Sequence, residues 1–402
     1  MSRLAADNPA PTLGGALPPL GAMFAMQVMM SMAGLAAPVF AVRLAVDLGI
    51  SAGWVGLYMS AVFVVAMFSG VLGGGAVIRL GAVRVAQICL VVAAAALALM
   101  CLGAVTWVVL AALLIGLAYG PPTPASSHIL ARTTPRHLMP IVFSLKQTGV
   151  PAGGALAGAL VPPMVLAWGW RGAAIAVALA ALALALLLQP IRARFDADRD
   201  RSHRPARDMA APLRLVLRDP AMRRLSFLAG SYSAVQMSLI AFLVSFLVEH
   251  VRLDIVTAGA VLAVAQVAGI GGRIFWGAIS GTLIAARWVL FGLGLVMAVA
   301  SLGIAGFSAE TPRVLIYVIA AVFGASAIGW NGVMLAELAR IAPPGLAGFV
   351  TGGSVFITFG GVVIAPAVFS AIVGLGFGYG AGFVMLAGLS IVGAALALRH
   401  RA

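Results

Sequence analysis

Twelve solid apolar runs, most of them twenty residues or longer, set the first limit on how this chain folds. They fall at 20–44, 53–76, 83–103, 105–130, 140–165 and 173–188, then at 225–248, 256–277, 288–307, 314–335, 346–373 and 376–398. A helix of about twenty apolar residues crosses the roughly 30 Å hydrocarbon core of a bilayer. Strands of a membrane barrel instead alternate lipid-facing and lumen-facing side chains over about ten residues, and these runs do not alternate. Composition agrees, with 63% hydrophobic and only 9% charged residues, where a soluble domain carries about a quarter charged. The expected fold is an all-α membrane protein with twelve transmembrane helices in two six-helix bundles.

The formal charge of +14 is carried by arginines, apart from one lysine, Lys146. They sit at run ends and in one connecting loop, the pattern that sets topology and not one that reads nucleic acid. With both termini inside, twenty arginines fall inside and four outside, namely Arg43, Arg171, Arg252 and Arg313. The expectation is a multi-pass protein of a bacterial-type inner membrane with both termini cytoplasmic. Trp54, Trp107, Trp168, Trp170, Trp276 and Trp288 stand near run ends, at the headgroup level that indoles prefer. Residues 1–19, with Arg3 and Asp7, read as a short cytoplasmic tail without a cleaved signal. Cys89 and Cys101 share one apolar run with no metal-ligand company, so they read as small buried residues. No metal or other cofactor is expected.

Residues 190–224 are the one long polar stretch, with ten arginines against Asp196, Asp198, Asp200, Asp208 and Asp219. So mixed a run buries no core of its own and reads as a solvated cytoplasmic linker. It divides the chain into an N-terminal bundle, 1–189, and a C-terminal bundle, 225–402. The halves echo each other. Ile129-Leu130-Ala131-Arg132 and Glu337-Leu338-Ala339-Arg340 lie 208 residues apart, each followed by a prolyl turn and a glycine-rich run. The connection 74–84 likewise has a partner around 277–287. Six plus six helices with an internal repeat is an architecture in which two similar bundles rock about a midplane site.

Lys146 lies inside the fifth run, in Ser144-Leu145-Lys146-Gln147-Thr148-Gly149-Val150-Pro151. A charge at mid-span costs roughly 2.5–3.5 kcal/mol on insertion scales and marks a functional candidate. Two readings stand. A long stem six residues after Pro140 reaches the headgroups by snorkelling, or the ammonium waits for an anion. All eleven acidic residues lie in tails, loops or run ends, so no mid-membrane carboxylate is expected to neutralise it. Gly149, Gly153 and Ala157 share its face at helical spacing, beside Gly154 and Gly158, forming either a groove or a close-packing surface. Pro151 lacks a backbone donor and leaves the Gln147 carbonyl unpaired within its helix, which predicts a kink. His128 reads as a structural hydrogen-bonding residue.

Over essentially its whole length the chain resembles the major facilitator superfamily. That family's signature between the second and third helices is a glycine, an acid, a basic residue, then glycine and further basic residues. Here Gly74, Arg79 and Gly81 match, while Ile78 stands where the acid belongs. The copy after the eighth run matches at Arg273 and Gly277, with Gly281 in place of the acid. The resemblance implies that this acid helps latch the cytoplasmic gate, so its double absence leaves the latch without its usual residue. Gly149, Pro151, Gly153 and Gly154 are similar to an antiporter glycine–proline signature one residue longer. The phrases around Lys146 and Gly329-Trp330-Asn331-Gly332 are similar to bacterial cyanate and organic-anion permeases.

The resemblance also implies that the first, fourth, seventh and tenth helices line a central cavity. Here they offer Gln27; Tyr119, Ser126 and Ser127; Ser231, Tyr232 and Gln236; and Ser326, Trp330 and Asn331, with Gln266 alongside. The expected substrate site is Lys146 with Gln27, Tyr119, Tyr232, Gln236 and Asn331, and Arg273 reads as a gate or headgroup contact. The expectation is a transporter of a small solute, an organic or inorganic anion, acting as a monomer in the bilayer with no nucleic-acid partner. Exchange or facilitated diffusion fits better than proton symport, for want of a membrane carboxylate. The alternative is an efflux carrier for hydrophobic or cationic compounds. Enzyme chemistry is not expected, since no nucleophile–base or metal-ligand constellation appears.

Overall fold

The computed structural model describes residues 13–49, 54–202, 210–253 and 255–398. The expected tail around Arg3 and Asp7 and the linker centre with Asp208 lie outside them. Helices account for almost all of the described chain. In the first half these are α1 (Leu13–Val39), α2 (Ala41–Leu48), α3 (Trp54–Leu80), α4 (Ala82–Met100), α5 (Val105–Tyr119), α6 (Pro122–Thr133), α7 (Met139–Gln147) and α8 (Gly149–Leu187). Two short helices follow, α9 (Gln189–Phe195) and α10 (Ala211–Arg218). The second half holds α11 (Pro220–Glu249), α12 (Ile255–Ile279), α13 (Ala286–Ala305), α14 (Arg313–Ala327), α15 (Asn331–Ile341), α16 (Ala347–Gly374) and α17 (Gly378–Leu398).

Eleven helical stretches among the described residues are long and apolar enough to span a membrane, and one of them, Arg136–Leu187, runs to 52 residues. At 1.5 Å per residue that is about 78 Å, more than twice the hydrocarbon core. It turns back at Gly169, whose backbone is non-helical (φ 70, ψ 171), and so contributes two crossings. The total is twelve. Trp170 beside this turn donates to the Asp47 carboxylate at 2.7 Å, and Arg171 pairs with the same oxygen.

Two crossings expected to be continuous are broken, and so is the fifth, where Pro151 predicts a kink. The fourth divides at Gly120–Pro121 between α5 and α6, and the tenth at Ile328–Trp330 between α14 and α15. The two breaks occupy positions related by the same offset as the sequence repeat. The fifth divides at Thr148, between α7 and α8, where Pro151 removes the donor that would have continued the ladder.

The linker is less detached than its composition implies. Asp196 is fully buried. Its carboxylate accepts from the backbone N–H groups of Val83 (2.8 Å) and Arg84 (3.0 Å), capping α4 where an anion meets the positive helix end. Gly81 holds a positive φ of 93° at that N-cap, and a side chain there would overlap the Asp196 carboxyl. Asp198 receives His128 Nε2 at 2.6 Å and pairs with Arg132, which also donates to the Phe195 carbonyl. The Asp200 N–H donates to the Ile78 carbonyl at 2.8 Å. A linker carboxylate therefore stands beside the very connection whose own acid is missing. The structural role expected for His128 is met here. On the far side of the linker centre, α10 packs on α16, with the Pro212 carbonyl against Gly353.

Burial pushes Asp196 above its ordinary value, against the two backbone N–H bonds. Burial pushes Asp198 upward too, but the His128 bond and Arg132 outweigh it and hold the carboxyl below its ordinary 3.8. A depressed carboxyl contributes stability above its unfolded value and loses it as pH falls through the folded one. Asp198→Asn is therefore expected to speed hydrogen exchange of residues 189–202 at neutral pH by about tenfold, the equivalent of ~1.4 kcal/mol. The difference from wild type should vanish once pH falls below the depressed Asp198 value.

The halves meet at the end of the bundle that carries the linker. There α3 lies along α16, with Phe68 and Phe356 ring centroids 5.5 Å apart. Gly74 sits against the Phe349 backbone, and Gly348 against His128 and Pro124. Beside them α7 enters between α12 and α15.

Candidate functional site

The broken fifth crossing places the only lysine of the chain at the seam between the halves. Lys146 is 1% exposed. Its ammonium donates to Gln27 Oε1 on α1 at 2.7 Å and to Gln147 Oε1 at 3.0 Å. Snorkelling is thereby excluded, since the stem turns inward and not to the headgroups. The Gln147 amide in turn donates to Asn331 Oδ1 at 2.7 Å, reaching the first turn of α15 in the other half. Gln27, Lys146, Gln147 and Asn331 form one chain of hydrogen bonds across the two bundles.

A second cation lies beside the first. Arg273 on α12 is 2% exposed; it donates through Nε to the Ile328 carbonyl at 2.8 Å and through Nη1 to the Gln147 carbonyl. Both acceptors are carbonyls at helix breaks. The Gln147 oxygen is the one that Pro151 leaves without a donor, and Ile328 lies in the gap between α14 and α15. One guanidinium, with its fixed fork of donors, thus joins a broken helix of each half. The expectation of a headgroup contact is corrected, because the side chain is enclosed in protein. The gate reading is consistent with a residue that ties the halves together. Arg273 is also near enough to Lys146 for their charges to act on each other, so Lys146 is not the sole buried cation.

No carboxylate among the described residues joins this cluster. Asp47 holds Trp170 and Arg171, Asp196 and Asp198 hold the linker, Asp219 caps α11, Glu249 accepts from Tyr379, and Glu337 pairs with Arg340 on its own helix. Among the described residues, the two buried cations donate to amide and carbonyl oxygens.

The other expected site residues divide. Tyr119 stands beside Ser31 and Arg273, edge-on to Phe63. Gln236 is half-buried on α11. Tyr232 is turned away. It is fully buried, donates to the Leu290 carbonyl at 2.7 Å and packs against Gly393, inside its own bundle. Arg79 is exposed. Gly149 faces Gln27, Gly153 faces the Val28 carbonyl and Ser31, and Gly154 faces Leu35. The glycine face beside Lys146 is therefore filled by α1 and is not a groove. Ser31 seals that contact by donating to the Val150 carbonyl, next to Pro151, at 2.7 Å.

Two side chains escaped the sequence reading. Gln147 is the hub; its signal was its place next to Lys146 and four residues before Pro151. Ser144 is fully buried between Gly277 and Gly332 of the other half. A Cβ on Gly277 would lie 2.5 Å from that of Ser144, and one on Gly332 would be 2.6 Å from its nitrogen. Only the packing of the halves reveals it.

The match to known proteins is broad in fold and low in sequence. The chain superposes on the E. coli fucose:proton symporter FucP with a TM-score of 0.76 at 14% identity, covering 96% of this chain and 100% of that one. It superposes on the human organic anion transporter MFSD10 (TETRAN) with a TM-score of 0.77 at 17% identity, covering 95% and 99%. A bacterial homologue of the iron transporter ferroportin, in an outward-facing state, gives 0.72 at 15% identity, covering 94% and 97%. No curated protein matches by sequence. The Major Facilitator Superfamily model matches residues 21–366. Twelve crossings, repeat-related breaks and this match agree: the chain is a membrane transporter of small solutes and belongs to the major facilitator superfamily.

Proposed function

We propose that this transporter carries a small organic or inorganic anion by alternating access, with Lys146 attracting the anion. One observation carries the reading: Lys146 and Arg273 are buried together where the halves meet, with neutral oxygens as their partners among the described residues. Burying a charge is unfavourable unless it is paired, and amide oxygens offset less of that cost than a carboxylate or phosphate would. An anion entering the site exchanges the Gln27 and Gln147 oxygens for its own. Asn331 and Tyr119 line its approach, and Gln236 on α11 is the remaining candidate. The described contacts between the halves gather at the linker end, which fits a carrier sealed on that side.

The remaining assignments rest on the sequence. The bundles are 1–189 and 225–402, joined by the linker 190–224, and the arginine bias puts both termini in the cytoplasm of a bacterial-type inner membrane. The protein acts as a monomer. Exchange suits a site that lacks a carboxylate to relay protons. The efflux alternative loses ground for the same reason, because two buried cations repel a cationic compound.

The test is uptake into proteoliposomes of small labelled carboxylates and inorganic anions beside the uncharged amides of the same shape. At least one anion should accumulate well above its amide. Equal accumulation of both would refute the anion site.

A further inference from the structure

At the linker end, a cavity of about 520 Å³ opens between the halves. Arg136 and His137 line it from the first half, and Arg287, Glu337 and Arg340 from the second. The Glu337 carboxylate accepts from Nε and Nη2 of Arg340, at 2.8 and 2.7 Å. Arg136 and Arg287 have no carboxylate partner among the described residues. Arg287 lies over the Trp288 ring, 5.5 Å from its centroid, and its Nε is buried without a hydrogen-bond partner. Three guanidinium groups against one carboxylate leave the cavity strongly positive.

The internal repeat says what such a cavity holds. In the first half, the start of α4 and the Arg132 side chain at the end of the fourth crossing are both occupied by linker carboxylates, Asp196 and Asp198. The related features of the second half are the start of α13 and Arg340. Here the N-cap is Ala285, which supplies no side-chain cap, and Ala285, Ala286 and Arg340 all line the cavity. The first half fills both features with linker carboxylates; in the second Glu337 takes up Arg340, and among the described residues the α13 start beside Arg287 is left without an anion.

We propose that this cavity binds a phosphate-bearing anion, with the headgroup of an anionic phospholipid as its source. Guanidinium forks bind phosphate in two-pronged fashion, and a helix start adds favourable partial charge. The surroundings favour a lipid. Leu283, which lines the cavity, is 81% exposed, and Trp288 under Arg287 is exposed as well, apolar surface of the kind found at the level where acyl chains begin. Because both halves supply walls, an occupied cavity holds the linker end shut. The site is separate from Lys146 and stands whether or not the transported solute is an anion.

Native mass spectrometry of the purified protein tests this, with phosphatidylglycerol, phosphatidylcholine and inorganic pyrophosphate as probes. Wild type should retain phosphatidylglycerol over phosphatidylcholine. Arg136→Gln with Arg287→Gln should weaken that retention at least tenfold, while Arg313→Gln at the opposite end and Lys146→Gln leave it unchanged. Arg136 is exposed, so Arg136→Gln alone, expected to weaken retention several-fold, carries the test if the double variant does not fold. Pyrophosphate binding lost in the same variants, without lipid retention, supports the phosphate site and assigns it to a soluble phosphate. Equal retention by wild type and variants, or no binding of either probe, overturns the proposal.

Discussion

Lys146→Gln is expected to cut anion uptake sharply while leaving a folded protein that purifies as a single species. The substitution removes the charge and keeps a polar chain able to donate to Gln27. A hydrogen bond to a charged group is worth about 1.5–3 kcal/mol, against about 1 for a neutral one. Losing that difference, together with the attraction that draws the anion in, lowers uptake at subsaturating substrate by roughly ten- to a hundredfold. Folding should not suffer, because burying the ammonium beside Arg273 is itself unfavourable, and the melting temperature of the variant should equal or exceed that of wild type. Uptake of the same anion at the wild-type rate would place the site elsewhere.

Gly332→Val should prevent the linker end from closing. Ser144 and the α15 backbone are in direct contact at Gly332, and added carbons have no room. Overpacking of this kind costs about 1–3 kcal/mol. Here the cost falls only on the state in which the halves meet, so the equilibrium between states shifts by about 5–150-fold. Spin labels at Arg79 and Thr282, both exposed at the linker end and one in each half, should report a longer distance in most molecules. Gly153→Ala provides the contrast. Its contact with Val28 and Ser31 lies within one half, so it should lower the melting temperature and leave the distance distribution unchanged. An unchanged distribution in Gly332→Val would mean that Ser144 does not control closure.

What was legible in the sequence follows from what a bilayer demands. Apolar length gave the crossings, and the 208-residue echo matches the offset between the breaks of the fourth and tenth. Pro151 announced the orphaned Gln147 carbonyl, because a missing N–H is a local fact. That Arg273 donates to it was not legible, since that pairing joins residues 126 apart through the packing of two bundles. Tyr232 shows the same limit in reverse. Its place on a cavity-lining helix is readable, but the direction it faces depends on Gly393 and Leu290, far along the chain. The linker misled through its composition. Ten arginines and five aspartates read as solvated, yet Asp196 is buried because an uncapped helix start was waiting for it.

The most direct measurement is the thermal stability of purified wild type and Lys146→Gln across a panel of small carboxylates and inorganic anions, with uncharged amides as controls. A ligand that binds only the folded state raises the melting point according to its concentration over Kd. At least one anion should stabilise wild type with a dose-dependent shift, its amide should not, and Lys146→Gln should lose the response. Stabilisation by amides or organic cations in place of anions, or an anion response that survives in Lys146→Gln, would contradict the account.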